Sequence, residues 1–142
     1  MLKRQTVLVV DDESRIADSL ATVLRGIGLE VRTAHNGIQG YSSYFRDPTD
    51  WIITDIEMPE LNGIDMVQCI RAINVSVKTI YMTGAADKHW ALLTQEAQRF
   101  SAQILRKPFG FNQVIEMLAE KQRTPAKTAT ANITKKSVSK AL

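Results

Sequence analysis

The stretch Trp51-Ile52-Ile53-Thr54-Asp55-Ile56-Glu57-Met58-Pro59 constrains this chain more than any other. An apolar run of strand length ends abruptly in a carboxylate, and a proline four residues later prevents its continuation. A buried strand that ends in Asp places that Asp at the rim of a sheet, where ligands of open α/β folds bind. Taken alone, Asp55 also reads as a turn residue, because Asp bonds readily to nearby backbone.

The pattern recurs along the chain. Residues 6–10 are β-branched and nearly continuously apolar, as a strand buried on both faces requires, and they too end in carboxylates, Asp11, Asp12 and Glu13. Ile16, Leu20, Val23, Leu24 and Ile27 follow at helical spacing and form one stripe, with Gly28 placed as a C-cap. A second strand is predicted over residues 29–34, a turn at Asn36-Gly37, and a weaker helix over 38–46 with Tyr41, Tyr44 and Phe45 as its core face. The third strand is expected over residues 50–54. After Pro59 and Gly63 comes a helix carrying Ile64, Val67, Ile70 and Arg71.

The fourth strand is predicted over 77–82, ending at Thr83-Gly84-Ala85. A helix over 87–98 is expected to bury Trp90, Leu93 and Ala97. The fifth strand spans 102–106 and ends at Lys107-Pro108, and a last helix over 111–122 buries Val114, Ile115 and Leu118. Strands alternating with helices imply an α/β fold, a doubly wound five-stranded parallel sheet with helices on both faces, since parallel strands need right-handed crossovers. Nothing repeats at a solenoid period.

Charge divides unevenly. Residues 1–120 hold twelve Lys and Arg against fifteen Asp and Glu, a net of −3, whereas residues 121–142 hold six basic residues and no acid. The basic character of the chain therefore belongs to its end. With only Ile133, Val138 and Leu142 as sizeable apolar residues beyond Pro125, that end cannot offset its ordering entropy. The expected organisation is one folded domain over residues 1–122 and a flexible basic tail over 123–142. The tail lacks aromatics and amphipathic periodicity, so neither specific nucleic-acid binding nor a membrane contact is expected of it. No apolar run is long enough to span a bilayer, and no signal peptide is legible. Cys69 stands alone, which excludes an internal disulfide and suits a reducing, cytoplasmic setting; it reads as a small buried hydrophobe.

In a parallel α/β sheet the strand C-termini share one edge. Asp11 and Asp12, Asp55, Thr83 and Lys107 then meet there. Three carboxylates on one edge repel unless a cation intervenes, and hard oxygen ligands that leave room for water suit Mg²⁺ better than Zn²⁺. A carboxylate in such a setting can act as nucleophile and form an aspartyl phosphate, a reaction that needs charge neutralisation more than covalent machinery. His35 and His89 read as ordinary surface or packing residues.

The set Val9-Val10-Asp11-Asp12-Glu13, Asp55-Ile56-Glu57-Met58-Pro59 with Gly63, Thr83-Gly84-Ala85 and Lys107-Pro108-Phe109 strongly resembles the receiver domains of two-component response regulators. The resemblance covers about residues 5–122, in order and with similar spacings, and its dispersed motifs together are highly specific. It implies a flavodoxin-like (βα)5 fold with strand order 2-1-3-4-5. It implies Asp55 as phosphoacceptor, served by a sensor histidine kinase or a histidine phosphotransfer protein. By the same resemblance, Asp12, Asp55 and the backbone carbonyl of Glu57 hold Mg²⁺, with Asp11 acting through water. Lys107 contacts the phosphoryl group, Thr83 moves toward it as a switch, and the Lys107-Pro108 bond is cis. Glu57 stands where it influences attack by water on the phosphoryl group.

One residue departs from the family pattern. Three residues before the lysine many relatives carry an aromatic that rotates inward, and here Ile104 stands. The expected output is a conformational change passed to a downstream protein target or a second copy through the face of residues 87–122. The alternative is a phosphate-shuttling intermediate. A Mg²⁺-dependent phosphatase with an Asp nucleophile fits less well, because such enzymes want an Asp where Glu57 stands and a longer chain. A binding module working through the basic tail fits less well too. The expectation is thus a signalling receiver that catalyses only its own phosphorylation and dephosphorylation, and not an enzyme.

Overall fold

The computed structural model describes residues 4–84 and 88–123. The chain divides into two units, Met1–Phe109 and Gly110–Leu142. In the first, β1 (Thr6–Val10), α1 (Ser14–Gly26), β2 (Glu30–Ala34), α2 (Gly37–Arg46), β3 (Trp51–Asp55), α3 (Gly63–Arg71), β4 (Lys78–Thr83), α4 (Trp90–Phe100) and β5 (Gln103–Arg106) follow in strict alternation. All five strands pair in parallel, in the order β2-β1-β3-β4-β5. The fold class and strand order read from the sequence are therefore the ones observed. The second unit holds α5 (Phe111–Arg123), started by Gln113, whose Oε1 accepts from the Gly110 N–H at 3.0 Å while its own N–H donates to the Gly110 carbonyl. The expected tail lies outside the described residues, apart from Arg123 at the end of α5.

The chain steps from β1 to β2 in one direction and thereafter in the other. Right-handed crossovers thus put α1 on one face of the sheet and α2, α3 and α4 on the opposite one. Strand residues alternate between these faces. Leu8, Val10, Ile52 and Tyr81 join Tyr44, Ile64, Val67, Ile70 and Leu93 in one buried cluster, and Val7, Val9 and Ile53 are buried as well. Asn36 and Asn62 cap α2 and α3 through side-chain oxygens that accept from Gln39 and Asp65 N–H.

Five packing expectations fail, one of them Ile115 of α5, which is only half-buried beside the buried Val114 and Leu118. Phe45 is 64% exposed, and its neighbour Tyr44 is the fully buried aromatic of α2. Phe45 instead lies against Tyr41, ring centroids 6.2 Å apart. Trp90 is 39% exposed, with the Arg106 guanidinium 4.7 Å from its ring centroid. Behind Leu93, α4 buries the charged Glu96 more deeply than Ala97, because Glu96 finds partners on other elements. Cys69 is exposed rather than buried.

Candidate functional site

Register brings the site together. Val10 pairs with Thr54, Asp55 with Met82 and Thr83 with Arg106, so β1, β3, β4 and β5 end side by side. The ladder continues one step past two of these ends: Asp11 N–H donates to the Ala34 carbonyl at 3.1 Å, and Lys107 N–H to the Thr83 carbonyl at 2.8 Å. Asp11, Asp12, Asp55, Thr83 and Lys107 therefore sit along one edge. Asp11 is fully buried, Asp55 and Thr83 nearly so, and Asp12 is exposed.

Lys107 Nζ donates to Asp11 Oδ2 at 3.2 Å and lies 3.4 Å from Asp55 Oδ1. Each carboxylate also accepts a backbone bond at 2.9 Å, Asp11 from Glu13 N–H and Asp55 from Ile56 N–H. Burial, with the Asp11 charge adding to it, pushes Asp55 up to about 6 against the pull of Lys107. Lys107 shifts upward in turn: burial opposes its charge, but Asp55 and Asp11 together outweigh that. The Lys107-Pro108 peptide is cis.

Oxygen atoms of Asp11, Asp12 and Asp55 all lie within 4.8 Å of one another. Three carboxylates so close, one of them with a raised pKa, leave more negative charge than a single ammonium balances. Hard oxygen donors, one of them open to water, fit a small divalent cation that keeps part of its hydration shell. Mg²⁺ therefore suits the residues present.

The loop after Asp55 is closed tightly. Gly63 N–H donates to the Ile56 carbonyl at 2.9 Å, Leu61 N–H to the Pro59 carbonyl at 2.8 Å, and Glu60 takes φ 71°, a left-handed conformation rare for Glu. Within this loop Glu57 points its carboxylate at α4: His89 Nε2–H donates to Glu57 Oε2 at 2.8 Å, and Lys88 Nζ lies 3.8 Å from the same oxygen. His89 had no special standing in the sequence. Nothing in spacing links a helix-start histidine to a loop 32 residues away.

Ile104 is partly buried against the central cluster and pairs with Tyr81 of β4. Tyr81 lies two residues before Thr83 and so shares its face of the sheet. Its hydroxyl donates to Glu96 Oε1 at 2.7 Å, and Arg71 Nη2 reaches the same oxygen at 2.7 Å. The Arg71 guanidinium stacks 3.7 Å from the Phe100 ring centroid. Burial, reinforced by Glu96, drives the Tyr81 hydroxyl far above its ordinary value, so it stays a donor. This link between α3, β4 and α4 was not legible in the sequence, because its members stand on three separate elements.

Comparison with known proteins agrees with this geometry. The family model described as the response regulator receiver domain matches residues 7–119. The transcriptional regulatory protein PrrA of Mycobacterium tuberculosis is 34% identical over 128 residues, covering 89% of this chain and 53% of the relative. The chain thus spans about half the length of that relative. Among solved structures, the response regulator protein TrrA from Thermotoga maritima, in complex with Mg(2+)-BeF, superposes with a TM-score of 0.71 at 29% identity, covering 82% of this chain and 97% of the other. A CheY-like receiver domain protein from Methanospirillum hungatei gives a TM-score of 0.76 at 24% identity, covering 84% and 94%, a likeness of fold.

Proposed function

Because the chain belongs to the response regulator receiver domain family, we propose that it is a phospho-accepting receiver in which Asp55 takes a phosphoryl group from phosphohistidine on a sensor kinase or a phosphotransfer protein. The observation that carries this reading is the placement of Lys107 Nζ, 3.2 Å from Asp11 and 3.4 Å from Asp55, beside a third carboxylate on the same edge. An Asp55 oxygen attacks phosphorus. The bond from phosphorus to the imidazole nitrogen breaks, and that nitrogen leaves with the bonding pair and takes up a proton. Mg²⁺, held by Asp12, Asp55 and the Glu57 carbonyl with Asp11 acting through water, would neutralise charge on the phosphoryl oxygens when bound.

The chain's own groups do the positioning. Asp55 is oriented by the Ile56 N–H, and the Lys107 ammonium beside it favours its ionised, nucleophilic form against burial. The Lys107 ammonium turns from the free carboxylate to the phosphoryl group, and the Thr83 hydroxyl donates to it. Thr83 then draws β4 with it. Tyr81, on the same face and bonded to Glu96, couples that motion to α4, in place of the aromatic absent at Ile104. Ile104, packed against the core, favours a second reading in which shape changes little and the phosphoryl group is passed on.

Incubation with Mg²⁺ and acetyl phosphate should add one hydroxylamine-labile phosphoryl group, and Asp55→Asn should abolish it. Full labelling of that variant would overturn the assignment. Amide exchange with and without beryllofluoride separates the two outputs: changes reaching α4 support the relay, and changes confined to the loop after Asp55 support the shuttle. Among the described residues no helix is long and apolar enough to cross a membrane; the cytoplasmic setting we propose rests on the family alone.

A further inference from the structure

The two ends of α4 are held in different ways. Glu96, near its C-terminal end, is buried and shared between the Tyr81 hydroxyl and the Arg71 guanidinium, each at 2.7 Å. A carboxylate buried with both partners in place anchors the helix, since moving it would strand the Arg71 charge. At the other end, the N-cap residue His89 donates from Nε2 to Glu57 Oε2 at 2.8 Å. The His89 side chain is 20% exposed and Glu57 57%, so the donor is largely shielded while its acceptor reaches in from solvent. Glu57 stands two residues past Asp55, in a loop already constrained by the Gly63–Ile56 bond.

We propose that His89 is a positioning residue for the phosphoacceptor site. Carried on a helix anchored at Glu96, it grips the Glu57 side chain and fixes the backbone of the β3–α3 loop, so that the Glu57 carbonyl is held ready for a divalent cation. This rests on the reading of Asp11, Asp12 and Asp55 as the cation site. Mg²⁺ demands near-ideal octahedral geometry, and a ligand carbonyl on a loosened loop loses affinity for it. Partners that orient metal ligands act in this way generally. The same grip holds the Glu57 carboxylate against α4.

The test uses the full chain. Mg²⁺ binding is measured by calorimetry, and amide exchange over residues 56–62 is measured in the metal-free protein. Removing one charge-assisted hydrogen bond should let His89→Ala weaken Mg²⁺ binding about three- to tenfold and speed exchange over 56–62 by a similar factor. His89→Gln keeps an N–H donor of similar reach and should restore both to within about twofold of wild type. Unchanged Mg²⁺ affinity and exchange in His89→Ala would overturn the proposal, as would a His89→Gln variant no better than the alanine. A wild-type protein that binds no Mg²⁺, with His89→Ala still loosening residues 56–62, would overturn the site reading and with it the role given to His89, leaving the Glu57 contact as one of folding.

Discussion

Gly63 and Asp55 touch backbone to backbone: a Cβ on Gly63 would lie 2.0 Å from the Asp55 carbonyl oxygen. The start of α3 therefore packs directly against the end of β3, and it does so at the residue that carries the nucleophile. Gly63→Ala must push these apart. The expected loss is about 2–4 kcal/mol of stability by urea unfolding, with phosphorylation of Asp55 slowed as well. An alanine variant with native stability would show that the loop yields without effort.

The Asp55 carboxyl makes stability depend on pH in a defined direction. Its pKa is raised from 3.8 to about 6 in the folded protein, so the folded state binds this proton more tightly than the unfolded chain. The stability this contributes is full below about 3.8 and is lost as pH rises through about 6. Asp55→Asn removes the buried ionisation. In EDTA the variant should be more stable than wild type near pH 8, by roughly 2 kcal/mol, and the difference should vanish near pH 4. Thermal melts at the two pH values check the sign, and Mg²⁺ should narrow the gap at the higher one.

The Arg71–Glu96–Tyr81 group should respond asymmetrically. Glu96→Ala leaves the Arg71 charge buried without its partner and should cost about 3–5 kcal/mol. The double variant Arg71→Met with Glu96→Leu replaces the charges by apolar volume and should recover most of that loss. Tyr81→Phe removes one hydroxyl bond and should cost about 1 kcal/mol. A double-mutant cycle by denaturant unfolding measures the coupling; additive losses would mean the pair does not act as a unit.

Removal of residues 124–142 should leave the melting temperature and the rate of labelling by acetyl phosphate unchanged. That segment is rich in Thr, Ala, Lys and Ser and has little apolar surface to contribute. A drop in melting temperature of more than about 4 °C would mean a contribution near 1 kcal/mol from this segment.

The alternation of apolar runs with helical stripes determined the fold by itself, because a parallel sheet admits few connections and the hand of each is set by strand twist. The gathering of Asp11, Asp12, Asp55, Thr83 and Lys107 was legible for the same reason: strand ends in such a sheet share an edge, so position along the chain already implied position in space. Strand bounds moved by one residue, with β3 taking in Asp55 and β4 reaching Thr83, since paired backbone rather than apolar character decides where a strand stops. Tertiary structure alone decided which polar groups go inside. Glu96 is buried because Arg71 and Tyr81 arrive from α3 and β4 to meet it, while Trp90 and Phe45 stay outside despite their size. The bond from His89 to Glu57 belongs to the same class. Periodicity reports which face of an element is apolar, whereas the partners of a buried or bridging charge come from other elements, at separations no local pattern encodes.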